Sequence, residues 1–203
     1  MDKNVSLNFK EQIKKIAEIS EGQIEDFFEA TTKVLYKKNE YFSTIKNQST
    51  SVAFIAKGLF RVYIIDLEGN EATLNFRIEN MPMSSYGAII LNETEPVYIQ
   101  ALENSEIYEI SRSKFLEFWQ GDNGWKTLLQ KITELDCLQL RRREFSFLLD
   151  DAKTRYINFL NDYGKHANRI KLRYVASYLG ITSEALSRIR SAPMKASFDK
   201  KLT

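Results

Sequence analysis

The sequence predicts an α+β protein: an N-terminal antiparallel β-roll or barrel, then a long connecting helix, then short helices at the carboxyl end. Apolar residues recur at helical spacing up to Phe28, alternate with a period of two between Thr31 and Ile110, and return to helical spacing after Ser111. Several short strands within about 80 residues are typical of an antiparallel roll.

The chain has 203 residues, of which 43% are hydrophobic and 28% charged, a composition typical of folded globular proteins. Its most apolar stretch is interrupted by charged residues, so no membrane span and no membrane partner are expected. The first residues lack the apolar core of a secretory signal, which predicts a cytoplasmic location.

The elements follow in order. The spacing predicts one helix over Phe9 to Phe28, and then a hairpin of Leu59–Ile65 and Glu71–Ile78 around a turn in which Gly69 supplies positive φ. In the second hairpin strand the side chains expected to face inward are Ala72, Leu74, Phe76 and Ile78. Further short strands are expected at Val34–Tyr36, Val52–Ile55, Val97–Leu102 and Glu106–Ile110.

After the strands, a short helix is predicted over Ser113–Phe118, a long one over Trp125–Leu149 and a third over Asp151–Tyr163, ended by Gly164. The long helix carries an apolar stripe close to heptad spacing, which favours a two-chain seam over packing on the protein's own sheet. The seam residues are Trp125, Leu128, Ile132, Leu135 and Leu138. The predicted domains are a roll over 1–112, the connecting and dimerisation helix over 113–149, and a last domain over 150–203.

The chain has one cysteine, Cys137, and one histidine, His166. They cannot form an internal disulfide, a zinc site built from Cys and His alone, or a four-thiolate iron–sulfur site, so we expect no metal and no cofactor. Buried packing is expected for Cys137. The glycines form no nucleotide-binding loop of the common types.

Charge is distributed unevenly. Residues 164–203 hold nine basic and two acidic residues, a net charge of +7, against −5 for the rest of the chain. A basic end on an acidic body is expected when only one part meets a polyanion; a solvated basic tail is the alternative.

The most informative segment is LRYVASYLGITSEALSRIR, residues 172–190. Leu172, Val175, Ala176 and Leu179 form an apolar helical face, and Gly180 suits a left-handed C-cap. Because Thr182 or Ser183 can cap a second helix, the segment has the layout of a helix-turn-helix, with an ordinary helical hairpin as the alternative.

A helix-turn-helix reads DNA through the N-terminal half of its second helix, here about 182–190. Arg188 could grip guanine and Glu184 could accept a hydrogen bond from cytosine, while neighbouring amides and basic side chains would contact phosphates. The predicted DNA-binding residues are Lys171, Arg173, Thr182, Ser183, Glu184, Ser187, Arg188 and Arg190. Whether residues after Arg190 touch DNA stays open.

The order of parts resembles the cyclic-AMP receptor protein/fumarate–nitrate regulator (Crp/Fnr) family of bacterial transcription factors. The likeness rests on FIAKGLFRVYIIDLEGNEATLNF and IYEISRSKFLEF in the roll and on ASYLGITSEALSRIR, which is particularly similar to members from Bacteroidetes-type bacteria. The resemblance implies a cyclic-nucleotide-binding-like jelly roll and a homodimer on a palindromic duplex operator. Its expected partners are DNA, a second copy, RNA polymerase and an unknown small-molecule effector.

The phosphate cassette of cyclic-AMP-binding members falls here on Ser84-Ser85 and Glu95-Pro96. A carboxylate therefore replaces the arginine that neutralises the cyclic phosphate, which argues against ordinary cyclic-nucleotide binding. The remaining pocket could take another ligand or be filled by its own side chains. Its candidate residues are Met83, Ser84, Ser85, Tyr86 and Glu95.

The sequence therefore predicts a homodimeric DNA-binding transcriptional regulator and not an enzyme. One alternative is a signalling module that binds a ligand or partner through the roll without engaging DNA. A cupin-type enzyme is disfavoured because His166 lies outside the roll and such sites gather several histidines.

Overall fold

The computed structural model describes residues 10–191 except 12, 15, 16, 86 and 122. The chain divides into two compact units, and the division falls between Glu144 and Phe145. The first unit holds the strands and most of the longest helix, and the second holds the last helices. No helix in the described part is long and apolar enough to cross a membrane.

The first helical region is divided in two. Residues 10, 11, 13 and 14 are helical, residues 18–20 are not, and helix α1 spans Glu21–Glu29. Ser20 Oγ accepts from the Gln23 amide at 3.3 Å, and Gln23 Oε1 accepts from the Ser20 amide at 2.8 Å. The prediction of one helix from Phe9 to Phe28 is wrong because this capping box starts a new helix at Ser20.

Within the described residues, eight strands form two antiparallel four-stranded sheets. One sheet has the order β1-β8-β3-β6 and the other β2-β7-β4-β5. The predicted strands are confirmed, and β2 and β6 are additional. The strands are β1 Thr32–Tyr36, β2 Tyr41–Ser43, β3 Ser51–Lys57, β4 Phe60–Ile65, β5 Glu71–Arg77, β6 Pro82–Met83, β7 Tyr98–Ala101 and β8 Ser105–Ser111.

The two sheets enclose an apolar core to which both contribute, for example Ile55 and Ile107 from one sheet and Phe60 and Ile99 from the other. A second core joins the helices to the roll. There Phe27 of α1 stacks on Trp125 with ring centroids 4.6 Å apart. These two clusters make the first unit one folded body.

The alternation along β5 breaks at a bulge. Val62 of β4 pairs with Asn75 and Tyr63 pairs with Thr73, so Leu74 is an extra residue on β5. As a result Thr73 is buried and Ala72 is exposed, which corrects the prediction that Ala72 and Leu74 face inward.

Besides the helical residues before α1, the described part of the chain has six helices and two short irregular turns. A π-helical turn spans Gly87–Leu91 and a 3-10 turn spans Gly164–Arg169. Gly69 and Gly180 adopt the predicted positive φ, at 88° and 66°. The helices after α1 are α2 Arg112–Gly121, α3 Asn123–Leu149, α4 Ala152–Tyr163, α5 Leu172–Leu179 and α6 Ser183–Ser191.

Candidate nucleic-acid interface and effector site

Helices α5 and α6 are joined by a tight left-handed turn. Gly180, with φ 66° and ψ 38°, donates to the Ser177 carbonyl at 3.2 Å, and Ile181 donates to the Ala176 carbonyl at 3.1 Å. This is a Schellman motif, which ends α5 and redirects the chain at once. Thr182 then caps α6, because its Oγ1 accepts from the Ala185 amide at 3.2 Å.

The helix pair packs through small and apolar residues. Val175, Ala176 and Leu179 of α5 and Leu186 of α6 are buried. Leu172 is 45% exposed, so its predicted place on the inner face is wrong. Its neighbour Tyr174 is buried instead, at 8% exposure.

The predicted DNA-binding residues form the outer surface of this motif and are all exposed. The pKa of Glu184 is lowered by hydrogen bonding to its own backbone amide and to the Thr182 hydroxyl, with a smaller effect from the Arg188 charge. Arg173 donates to the Tyr174 hydroxyl at 2.8 Å and lies 4.7 Å from that ring's centroid. The exposed residues are Lys171, Arg173, Thr182, Ser183, Glu184, Ser187, Arg188 and Arg190.

This surface presents cations around a helix N-terminus. The first-turn amides of α6 carry partial positive charge, and Arg188 and Arg190 project from its later turns. Such a charge distribution favours phosphate anions. Whether residues after Arg190 contact DNA was left open by the sequence, and the stretch after Ser191 lies outside the described residues.

The predicted seam residues of α3 separate into two groups. Trp125 and Leu128 are each 4% exposed and pack into the core of their own chain, with Ile132 partly buried against it. Leu135 and Leu138 are 59% and 51% exposed. Packing within its own chain, largely against helix residues such as Phe27 and Phe118, therefore accounts for the start of the stripe, and the solvent-facing apolar surface begins at Leu135.

Two other sequence predictions concern single residues. Cys137 is exposed, so the prediction of buried packing is wrong; it lies on a helix side that neither core reaches. His166 lies in the 3-10 turn, where its Nδ1 is 2.9 Å from Arg169 Nη1. Within the described residues, no group of three or more His, Cys, Asp or Glu side chains is placed to hold a metal ion.

Two of the candidate effector-site residues, Ser85 and Glu95, are hydrogen-bonded to each other and to Gln48. Ser85 is fully buried, and its Oγ donates to Glu95 Oε2 at 2.7 Å. Gln48 Nε2 donates to Ser85 Oγ at 2.9 Å and to the Glu95 carbonyl at 3.0 Å. The Glu95 amide donates back to Gln48 Oε1 at 3.1 Å.

Gly87 makes room for this arrangement. A Cβ at Gly87 would lie 2.6 Å from Glu95 Cγ, a distance that real Cβ contacts do not show. Of the other predicted pocket residues, Met83 is 2% exposed and belongs to the roll core, Ser84 is half-buried, and Tyr86 lies outside the described residues.

The comparisons with known proteins agree with this architecture. Residues 33–122 match the cyclic nucleotide-binding domain family. A search of curated protein sequences finds no match to the chain.

Solved structures share the fold over most of the chain. FixK2 from Bradyrhizobium japonicum is 20% identical with a TM-score of 0.65, covering 79% of this chain and 83% of its own. The Thermus thermophilus catabolite activator protein is 15% identical with a TM-score of 0.55, covering 85% and 83%. A Eubacterium rectale protein described as a crp/fnr-family transcriptional regulator is 16% identical with a TM-score of 0.68, covering 85% and 82%. The chain has the Crp/Fnr fold.

Sequence reasoning missed several residues that build these sites. Gln48 bridges Ser85 and Glu95 from 37 and 47 positions away in the chain, and no local pattern reports such a distance. Gly87 carried a signal that could have been used, since a glycine beside a cyclic-nucleotide-like cassette suggests a close approach by another group. Arg155, which contacts the helix-turn-helix, looked like an ordinary charge on an amphipathic helix.

Proposed function

We propose that this protein is a homodimeric, DNA-binding transcriptional regulator of the Crp/Fnr type, and that α6 is its recognition helix. The observation that carries the proposal is the α5–turn–α6 motif, whose outer surface holds Arg188, Arg190 and the polar first turn of α6. The motif's sequence supports the narrower assignment to the Bacteroidetes-type branch. The Crp/Fnr fold supports the class.

The chemistry of that surface fits duplex DNA. Arg188 and Ser187 lie in the second turn of α6 and are exposed, so their side chains can meet base edges when the helix enters a major groove. Lys171 and Arg173, exposed on α5 and its N-cap, suit backbone phosphates. Hydrogen bonding to its own backbone amide and to the Thr182 hydroxyl lowers the pKa of Glu184, which favours the carboxylate that acceptance from cytosine requires.

The dimer would form on α3. Leu135 and Leu138 lie on one side of the helix, and Arg143, which donates to the Leu74 carbonyl at 2.6 Å, lies on the side that faces the roll. A second copy of α3 would cover the exposed leucines, and each fully buried leucine contributes about 1.5–3 kcal/mol. Contact with the remaining expected partner, RNA polymerase, is proposed only for a protein that activates transcription.

Selection of bound duplexes from a random pool tests the DNA assignment. We expect a palindromic consensus, and we expect Arg188→Ala to weaken binding to it by about tenfold to a hundredfold while the dimer stays intact. Lys126→Ala is the matched control, since it removes one exposed positive charge from α3. Absence of any preferred sequence at two salt concentrations would instead support the signalling-module alternative.

Sedimentation tests the dimer separately. Leu138→Asp is expected to give monomers at micromolar concentration, because it places a charge in the seam. The control is Leu140→Asp, the same substitution at a position that is 64% exposed and outside the stripe. Equal effects of the two variants would remove α3 as the seam.

A further inference from the structure

Arg155 of α4 lies where three elements of the second unit meet. Its Nη1 donates to the Asp150 carbonyl at 2.7 Å, in the link between α3 and α4. Its Nε donates to the Leu179 carbonyl at 3.1 Å, at the end of α5. Its guanidinium carbon lies 5.2 Å from the ring centroid of Phe147, in the last turn of α3. One planar cation thus ties the end of the long helix to the helix-turn-helix.

Both carbonyls lie at helix ends, where carbonyl groups commonly lack a partner within the helix. The Schellman bonds at the end of α5 go to Ala176 and Ser177, so the Leu179 carbonyl depends on an outside donor. Asp150 lies between two helices, outside both. A guanidinium can serve two carbonyls in fixed directions, whereas an ammonium on a flexible stem cannot hold the same geometry.

Phe147 bounds the turn from another side. A Cβ at Gly180 would lie 2.9 Å from Phe147 Cε1, so the ring reaches the residue at which the chain turns from α5 into α6. The turn between α5 and α6 is therefore contacted by Phe147 of α3 at Gly180 and by Arg155 of α4 at the Leu179 carbonyl. Both contacts involve the same short stretch, Leu179 to Gly180.

We propose that Arg155 is a positioning residue that sets the direction of α6 relative to the end of α3. This inference rests on the proposed function. In a dimer joined along α3, that direction fixes the separation and orientation of the two recognition helices. A dimer binds a palindromic operator only when the half-site spacing matches the separation of its recognition helices. Loss of the Arg155 contacts would therefore change which half-site spacing the dimer prefers.

The test measures anisotropy of labelled duplexes that carry the selected half-sites at the preferred spacing and at spacings one or two base pairs longer or shorter, at fixed salt. Arg155→Lys keeps the charge and removes the fork. Lys153→Arg is the matched control, a charge-preserving exchange two residues away on α4. Thermal melting by circular dichroism reports the fold of each variant.

Wild type and Lys153→Arg are expected to lose about tenfold in affinity for each base pair of altered spacing. Arg155→Lys is expected to bind the preferred operator about tenfold more weakly and to discriminate spacings by about threefold or less, because two directional hydrogen bonds are lost. Its binding to non-specific duplex stays at the wild-type level. Phe147→Leu, which keeps apolar packing, is expected to change the profile in the same direction.

An Arg155→Lys protein with the wild-type spacing profile would overturn the inference and leave the proposed function standing. A uniform loss on all duplexes, together with a lowered melting temperature, would also overturn it, because that pattern marks a purely structural residue. A wild-type protein without sequence preference would overturn the proposed function and this inference together.

Discussion

Replacing Glu95 tests whether the roll has filled its effector site with its own side chain. The Glu95 carboxylate accepts from Ser85 Oγ at 2.7 Å, and Ser85 is fully buried. Gln48 donates to the Glu95 carbonyl and accepts from the Glu95 amide, so both bonds involve only the backbone of Glu95 and survive the replacement. Glu95→Ala therefore removes one charge-assisted hydrogen bond and the side chain that lies over Gly87.

The expected loss in the free energy of unfolding follows from the number of hydrogen bonds removed. A hydrogen bond to a charged group contributes about 1.5–3 kcal/mol, and because Glu95 is only half-buried, water recovers part of it. We expect Glu95→Ala to lower the free energy of unfolding by about 1–2 kcal/mol, and Glu95→Gln, which keeps an acceptor, by less. Gln48→Ala removes three hydrogen bonds and is expected to cost about 2–4 kcal/mol.

Urea denaturation followed by tryptophan fluorescence gives these values, since Trp119 and Trp125 both lie in the first unit. Glu93→Ala is the control: it removes an exposed carboxylate two residues away and is expected to change stability by less than about 0.5 kcal/mol. In parallel, calorimetric titration of the wild type with cyclic AMP and cyclic GMP is expected to show no binding. Equal stabilities of Glu95→Ala and Glu93→Ala, or micromolar binding of either nucleotide, would refute the reasoning.

Three further predictions concern the stability contributed by Arg61, Gly180 and Tyr63. Arg61 is 1% exposed and donates to Thr73 Oγ1 at 2.8 Å and to Glu71. Arg61→Met is therefore expected to lower the free energy of unfolding in urea by about 2–4 kcal/mol. The control is Lys33→Met, which removes a more exposed ion pair with Glu106 and is expected to cost less than about 1 kcal/mol. Gly180→Ala is expected to destabilise the second unit by about 1–3 kcal/mol in thermal melts, because positive φ and the contact with Phe147 both oppose a Cβ. Burial, more than the hydrogen bond with Tyr41, raises the pKa of Tyr63 above its ordinary value of 10.0, so its contribution to stability is complete below that pH and is lost as pH rises beyond it. The free energy of unfolding, measured at several alkaline pH values, is then expected to fall less steeply with rising pH in Tyr63→Phe than in the wild type. An unchanged slope would contradict this.

Local signals predicted the elements whose causes are local. The left-handed cap at Gly180 followed from a single glycine after an apolar helical face, and the β4–β5 hairpin followed from alternation and Gly69. The break at Ser20 was also readable, since Ser followed three residues later by Gln is a capping box. It was missed because apolar spacing continues across it.

The rest depended on contacts distant in sequence. The bulge at Leu74 shifts which side chains of β5 face inward, and it arises from pairing with β4 rather than from any residue type. Arg143, from α3, donates to the carbonyls of Thr73 and Leu74 at 3.0 and 2.6 Å. From the sequence alone, Arg143 could be solvated or paired with an acidic residue. The structure shows that it donates to backbone carbonyls of β5.

The hydrogen bond between Ser85 and Glu95 bears on how a regulator of the proposed kind would be controlled. With Glu95 hydrogen-bonded to Ser85, a cyclic nucleotide would have to break a half-buried hydrogen bond and overcome repulsion between its phosphate and the carboxylate. In the proposed dimer, control would then pass to the association equilibrium on α3, where a second copy would cover the exposed Leu135 and Leu138. Because association depends on protomer concentration, operator occupancy would follow the amount of protein in the cell rather than the level of a nucleotide.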